Sequence, residues 1–482
     1  MLFNSISFAI FLPIVFLLYW FATKGNLRSQ NILLLVSSYF FYACWDYRFL
    51  FLLVFSTLLD YYTGIKIHEA KNQHSKKFWL WLSISINLGF LGVFKYYNFF
   101  AQSLADGLSL LGLKANFGTL QVILPVGISF YTFHGLSYVL DLYKNRIKPE
   151  RNFVDYSVFV SFFPLLVAGP IERATHLLPQ ILKKREFDYS KAIDGLRQIL
   201  WGLFKKIVIA DNCAEFANTI FNNSGDYSGS TLALGALFFT FQIYCDFSGY
   251  SDIALGTARL FGIDLLRNFA FPYFSRDIAE FWRRWHISLS SWFRDYLYIP
   301  LGGSKGGTWM KVRNTFIIFL VSGFWHGANW TFIVWGLLNA IYIMPSIIFN
   351  TNRNNLETVA MGKYLPTVKE FFSIILTFGL TVFAWIFFRA NNVHHAFSII
   401  SEICSPSLFT IPSFDEIWRS VPILIITAVF LVIEWIGREQ QYAIAKLGFK
   451  WHKPVRWAMY YTIILAIIYF AGSKQQFIYF QF

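Results

Sequence analysis

Charge is what this chain has least of. Only 14% of its 482 residues are Asp, Glu, Lys or Arg, against about 25% in a soluble globular domain. That deficit excludes a soluble enzyme of ordinary make-up. Cysteine is scarce too: Cys44, Cys213, Cys245 and Cys404 show no paired spacing, so no disulfide framework is required or indicated. No Pro/Ser-rich linker and no polar block of soluble-domain size interrupts the sequence. No internal repeat is visible, which weighs against the inverted-repeat transporter folds. One integral domain over residues 1–482 is expected, with amphipathic elements at its rims.

What fills the space is apolar. Hydrophobic residues make up 56% and aromatic residues 21% of the chain, and the mean hydropathy is +0.47. Runs without any Asp, Glu, Lys or Arg recur at 2–23, 29–45, 78–94, 115–140, 156–171, 227–245, 314–352, 371–388, 421–433 and 457–473. About 20 apolar residues cross a bilayer as a helix, so 314–352 can supply two passes. The pattern predicts an all-α polytopic membrane protein with about ten to twelve transmembrane helices, the shorter runs forming re-entrant and interfacial helices. The first run lacks the charged n-region and the small-residue cleavage site of a signal peptide. Lys24 and Arg28 follow it, which puts its C-terminal end in the cytoplasm by the positive-inside rule.

The formal net charge of +14 does not point to nucleic acid. The basic residues fall in short loops at 66–77, 144–151, 183–191 and 446–456, as expected of cytoplasmic loops touching anionic membrane lipids. No RNA- or DNA-binding motif is present. His394 and His395 have no carboxylate or cysteine at ligand spacing, so they read as a loop or helix end, and no metal site is expected. The longest polar stretches are 172–194, 302–313 and 350–369.

Against this background one residue stands out. His326 lies inside the charge-free run 314–352, in the sequence SGFWHGANW at 322–330. A titratable ring in a segment apolar enough for lipid is costly, and such groups usually face a cavity, a partner or a substrate path. Gly323 and Gly327 remove side-chain bulk, so another backbone or a ligand can come close to the imidazole. Two other segments are dense in polar groups: QIYCDFSGYSD at 242–252 and FWRRWHISLSSWFRDY at 281–296, which holds His286. Arg276, Glu280 and Arg284 are spaced to pair along one helical face. Phe281, Trp285, Trp292 and Tyr296 form an aromatic face suited to the membrane interface. Asp246 and Asp252 read as residues of a capped helix end. Arg283 and Arg284 are placed to meet a phosphate or to snorkel into lipid headgroups.

The chain resembles the membrane-bound O-acyltransferase (MBOAT) family. The similarity rests on LPVGISFYTF at 124–133, FPLLVAGPIER at 163–173, DFSGYSD at 246–252, the segment 281–303 and SGFWHGANW at 322–330, in that order. It runs from about residue 1 to 400 and is best for the bacterial polysaccharide branch of alginate and peptidoglycan O-acetylation proteins; teichoic-acid D-alanyl transfer proteins are a shorter relative. The resemblance implies an acyltransferase with its catalytic core at about 120–400. It makes His326 the catalytic residue and His286 a second polar residue of the reaction chamber. It also implies acetyl-CoA as cytoplasmic acyl donor with no permanently bound cofactor, a surface polysaccharide as acceptor, and an SGNH-type extracytoplasmic acetyltransferase as partner, in the bacterial plasma membrane.

The chemistry agrees. Acylation of a hydroxyl needs a base with a pKa near 7, and histidine is the side chain that supplies it. Burial disfavours imidazolium and keeps the ring able to accept a proton. Ser322, Asn329 and Trp330 are nearby donors for a developing oxyanion. The competing reading is a transporter or proton-coupled channel with intramembrane histidines, which predicts ionisable groups spread over several helices. Here the polar groups cluster in one third of the chain.

Overall fold

The computed structural model describes residues 1–113, 117–120, 123–167, 169–472 and 475–478, and among these no strand occurs. The notion of an all-α polytopic membrane protein holds. The chain divides into two compact units: Met1–Gly195 with Ala254–Leu266, and Leu196–Ile253 with Arg267–Phe482.

In the first unit the helices are α1 (Ile6–Leu17), α2 (Leu27–Ala43), α3 (Tyr47–Glu69), α4 (Gln73–Leu91), α5 (Tyr97–Leu110), α6 (Ile128–Tyr143), α7 (Phe153–Ser161), α8 (Phe163–Leu166), α9 (Ala174–Leu182) and the start of α10 (Tyr189–Leu203). Their beginnings are written in the sequence. Ser5, Asn26, Asp46, Asn72 and Asn152 each turn a side-chain oxygen onto a free backbone N–H of the first turn, which satisfies donors that no helical carbonyl reaches. Between α3 and α4, the Asp60 carboxylate accepts hydrogen bonds from Ser83 Oγ (2.6 Å) and Asn87 Nδ2 (2.8 Å). Such polar contacts join helices where lipid gives no hydrophobic force between them. A Cβ on Gly135 of α6 would meet Asp60 Oδ2 at 1.9 Å, so only glycine lets α6 approach this group.

The second unit holds the rest of α10, α11 (Asp211–Asn222), most of α12 (Gly229–Leu260), α13 (Ile278–Arg284), α14 (Ile287–Phe293), α15 (Gly307–His326), α16 (Trp330–Ile348), α17 (Val368–Arg389), α18 (Val393–Ile403), α19 (Ile417–Gly437) and α20 (Lys453–Tyr469). A π-helical stretch, Phe204–Ala210, joins α10 to α11. Its two lysines meet α12: Lys205 Nζ lies 2.5 Å from Asp252, and Lys206 Nζ lies 2.8 Å from both Asp246 and Asp211. Asp246 and Asp252 therefore do not cap a helix end. They sit inside α12 as counter-ions, because a buried ammonium without a carboxylate is far more costly than the pair.

Among the described residues, six helices are by themselves long and apolar enough to cross a membrane: Tyr47–Glu69, Gln73–Leu110, Gly229–Leu260, Trp330–Ile348, Val368–Arg389 and Ile417–Gly437. The sequence pattern leads to about ten to twelve. The difference has a physical basis: Ile6–Ala22 is a shorter apolar helix, α7 and α8 are short pieces, and α15 begins with Lys311 and Arg313 in its first turns. Large apolar side chains such as Ile6, Phe51, Leu376 and Ile468 are exposed, which suits a lipid-facing surface and not an aqueous one.

Candidate active site

The site is built on α12–α17 of the second unit. Between α13 and α14 the chain breaks its helical path at His286, which adopts the left-handed conformation (φ 43°, ψ 54°). Histidine tolerates this region better than most residues, but the position is still a strained one of the kind that collects at functional sites. Segment 268–270 holds the break in place. Ala270 N–H donates to the Arg284 carbonyl (3.0 Å) and Ile287 N–H to the Asn268 carbonyl (2.9 Å), while Ser288 Oγ donates to Asn268 Oδ1 (2.5 Å).

His326 is the last residue of α15, and the chain turns back through extended Gly327 into α16. The hairpin is tight because of its glycines. A Cβ on Gly323 would meet the Phe332 carbonyl oxygen at 2.2 Å, one on Gly336 the Phe319 carbonyl oxygen at 2.4 Å, and one on Gly327 the Phe332 ring at 2.0 Å. The close approach anticipated at Gly323 and Gly327 is thus made by α16 itself.

These two turns bring the histidines together. The rings of His286 and His326 lie with centroids 6.5 Å apart, and both residues are buried, 2% and 5% exposed. Aromatic groups from several helices surround them. Phe247 of α12 meets His286 edge-on at 4.6 Å. Trp335 of α16 and Phe388 of α17 meet His326 at 5.3 and 5.4 Å. Trp385 stacks on Trp335 and lies 5.0 Å from Trp285. Burial, and secondly the neighbouring His326, push His286 well below the ordinary imidazole range, so its ring is neutral.

A cavity of about 360 Å³ lies behind Phe388, lined also by Ala328, Asn329, Phe332, Arg389, Ala390 and Asn391, and neither histidine is among its lining residues. Phe388 touches both the cavity and the imidazole. Phe247 is in turn backed by the segment at 475–478: Phe477 lies 6.3 Å from Phe247 and 4.2 Å from Tyr250, and Ile478 N–H donates to Asp246 (2.8 Å).

Other residues singled out in the sequence have structural duties. Arg276, Glu280 and Arg284 pair as spaced, with the buried Glu280 carboxylate between the two guanidinium groups. Arg283 donates to the Asn352 and Asn355 carbonyls (2.6 and 2.8 Å). With Arg276 and Arg284 both on the Glu357 carbonyl, these arginines pin down the polar stretch 350–369. Phe281, Trp285 and Trp292 face the interior and not a membrane interface, since Trp285 packs on Phe269, Phe281 and Trp385. Asn329 caps α16 through Thr331 N–H and gives its own amide N–H to the Asn391 carbonyl. Trp330 is half exposed. His395 sits in the first turn of α18, bonded to Ser224 Oγ and to Asn391 N–H. Phe247, Trp335, Trp385 and Phe388 escaped the sequence reading, although the last two sit in a charge-free run with helical spacing.

Several known proteins resemble this chain over most of its length. A model of the membrane-bound O-acyltransferase family matches residues 149–388, a range that contains both histidines. The chain is 36% identical to a probable alginate O-acetylase of Pseudomonas aeruginosa, over 92% of this chain and 82% of that protein. It is 38% identical to a peptidoglycan O-acetyltransferase of Helicobacter pylori, over 83% of this chain and 79% of that one. A teichoic acid D-alanyltransferase of Bacillus subtilis is 28% identical over 56% of this chain and 70% of its own length.

Proposed function

Because the chain belongs to the membrane-bound O-acyltransferase family, and so is a multi-pass membrane acyltransferase, we propose that it moves an acetyl group from cytoplasmic acetyl-CoA across the bacterial plasma membrane toward hydroxyls of a surface polysaccharide. The observation that carries this reading is the pair of buried histidines, with ring centroids 6.5 Å apart, enclosed by aromatic side chains.

His326 is the general base. A hydroxyl oxygen attacks the thioester carbonyl, its proton passes to the His326 ring, the C–S bond breaks, and the proton leaves with the thiolate. A positioned base is worth roughly 10²–10⁴-fold in rate; orientation in the aromatic enclosure contributes further. His286 is the companion polar group. Its neutral ring holds one N–H donor and one acceptor nitrogen close to His326.

Charge distribution supports the direction of transfer. The loop ahead of α15 carries Lys305 and its first turns Lys311 and Arg313, and 350–369 carries Arg353, Lys363 and Lys369, whereas 326–330 has no charge. By the positive-inside rule the His326 end of α15 then faces away from the cytoplasm, toward the acceptor. The acceptor hydroxyl belongs either to the polymer or to an SGNH-type extracytoplasmic partner that completes the transfer; names of relatives such as alginate O-acetylase support a glycan as final acceptor.

The test is the acetyl content of the surface polymer in cells carrying His326→Ala at normal protein level. Loss of acetylation is expected, and unchanged acetylation overturns the assignment. Labelled acetyl-CoA given to the purified protein, with and without an SGNH partner, separates donor use from completed transfer.

A further inference from the structure

The first unit contains a second cavity, of about 610 Å³, whose walls are unlike those of the cavity behind Phe388. Lys183, Lys184, Arg185, Lys191 and Arg259 line it, with Trp20 among the aromatic residues. Most of the carboxylates around it are already engaged. Asp264 pairs with Lys191, Asp194 with Arg259, and Asp188 accepts from the Ser190 and Lys191 N–H groups at the start of α10. Among the described residues, Lys183, Lys184 and Arg185 form no ion pair. The lining carboxylates Glu186 and Asp188, neither in an ion pair among the described residues, offset two of these three charges, so the cavity keeps a surplus of one positive charge.

Arg185 is the most informative of them. It is 5% exposed, packed against the Tyr19 ring at 5.7 Å, and one Nη donates to Asn31 Oδ1. Its Nε and other Nη are buried without a hydrogen bond of normal geometry, although the Tyr19 hydroxyl and the Asp155 carboxylate are near enough to attract the guanidinium. A buried guanidinium with unmet donors is costly, and its planar fork matches the oxygens of a phosphate. Trp20 is held in the lining by its indole N–H on the Leu260 carbonyl (2.9 Å) and its ring near Phe187 at 5.4 Å.

We propose that this cavity is a binding site for a phosphate group, held by Lys183, Lys184 and Arg185. It lies at the end of α1 that is followed by Lys24 and Arg28, the cytoplasmic end by the positive-inside rule. Two sources of phosphate meet a protein there: the headgroup of an anionic phospholipid, and a soluble phosphate ester. The site does not depend on the role given to His326.

The experiment uses the full-length protein in nanodiscs. In one arm, native mass spectrometry counts retained phosphatidylglycerol after release from phosphatidylcholine discs containing about a fifth of the anionic lipid. In the other, calorimetry measures binding of adenosine 3′,5′-bisphosphate, the phosphate-bearing end of coenzyme A, in pure phosphatidylcholine discs. Both lysines are exposed, so Lys183→Gln with Lys184→Gln leaves the fold intact. That pair is expected to weaken binding by about tenfold or more in at least one arm, while Lys446→Gln with Lys450→Gln, an equal change of charge in the other unit, leaves it unchanged. Loss in the lipid arm makes the occupant a headgroup, and loss in the bisphosphate arm makes it a soluble ester. Equal effects of the two pairs, or no effect of the first, overturn the proposal.

Discussion

His134 and His326 are both buried in apolar helices, 0% and 5% exposed, yet their surroundings give them different work. The His134 ring accepts the Glu172 main-chain N–H at Nε2 (3.1 Å) and rests near Phe159. It fastens α6 to the turn that precedes α9. The His326 ring lies near a second imidazole and two aromatic side chains, with a cavity behind one of them. Burial alone therefore says little about a polar ring. Main chain fastens His134, whereas the neighbouring imidazole suits His326 to the proton transfer proposed for it.

The distinction breaks most visibly at His326. His326→Ala is expected to lower acetyl transfer by about 10²–10⁴-fold while the folded protein stays at its usual level, as measured by polymer acetylation against protein amount. An equal loss in His134→Ala at normal protein level would abolish the contrast. The buried ion pairs of the second unit extend the fastener class. Lys206→Met strands the Asp211 and Asp246 carboxylates, and breaking such a buried pair costs about 3–5 kcal/mol. Thermal unfolding in detergent should show that loss, and Lys206→Met combined with Asp246→Asn should recover part of it.

His134→Ala leaves the Glu172 N–H without its acceptor. A loss of about 1–3 kcal/mol in stability is expected, with acetyl transfer per folded molecule unchanged. The smallest effect concerns His176, whose Nδ1 lies 2.8 Å from Glu172. The hydrogen bond to that carboxylate raises the His176 pKa above the ordinary imidazole value. Its stabilising contribution is then full below the unfolded pKa and fades as pH rises through the folded one. Melting temperatures of the native protein and of His176→Gln should differ at about pH 6 and converge at about pH 8.5; a constant gap removes His176 from the account.

Much of this was legible in the sequence, for reasons that differ by residue. Long charge-free runs reveal an all-α membrane body because lipid tolerates no other open backbone. His326 could be picked out because an imidazole is rare in such a run, and the Arg276–Glu280–Arg284 pairing because local spacing determines it. Direction was harder. Phe281 and Trp285 have the composition of an interfacial face but turn inward, since the rings that receive them, Phe269 and Trp385, are distant in sequence. Asp246 and Asp252 resembled caps because their partners, Lys206 and Lys205, lie some forty residues earlier. Trp335 and Phe388, which enclose His326, come from two further helices and carry no local mark of that role.

The π-helical stretch Phe204–Ala210 has one more consequence. It sits between α10 and α11 and lets two consecutive lysines each reach a partner on α12. One residue of α-helix corresponds to a rotation of about 100°. A single deletion here would preserve hydropathy, helicity and nearly all of the composition, yet swing Asp211 and everything after it out of phase with Lys206. The segment thus acts as a length gauge, in which the number of residues matters more than their identity.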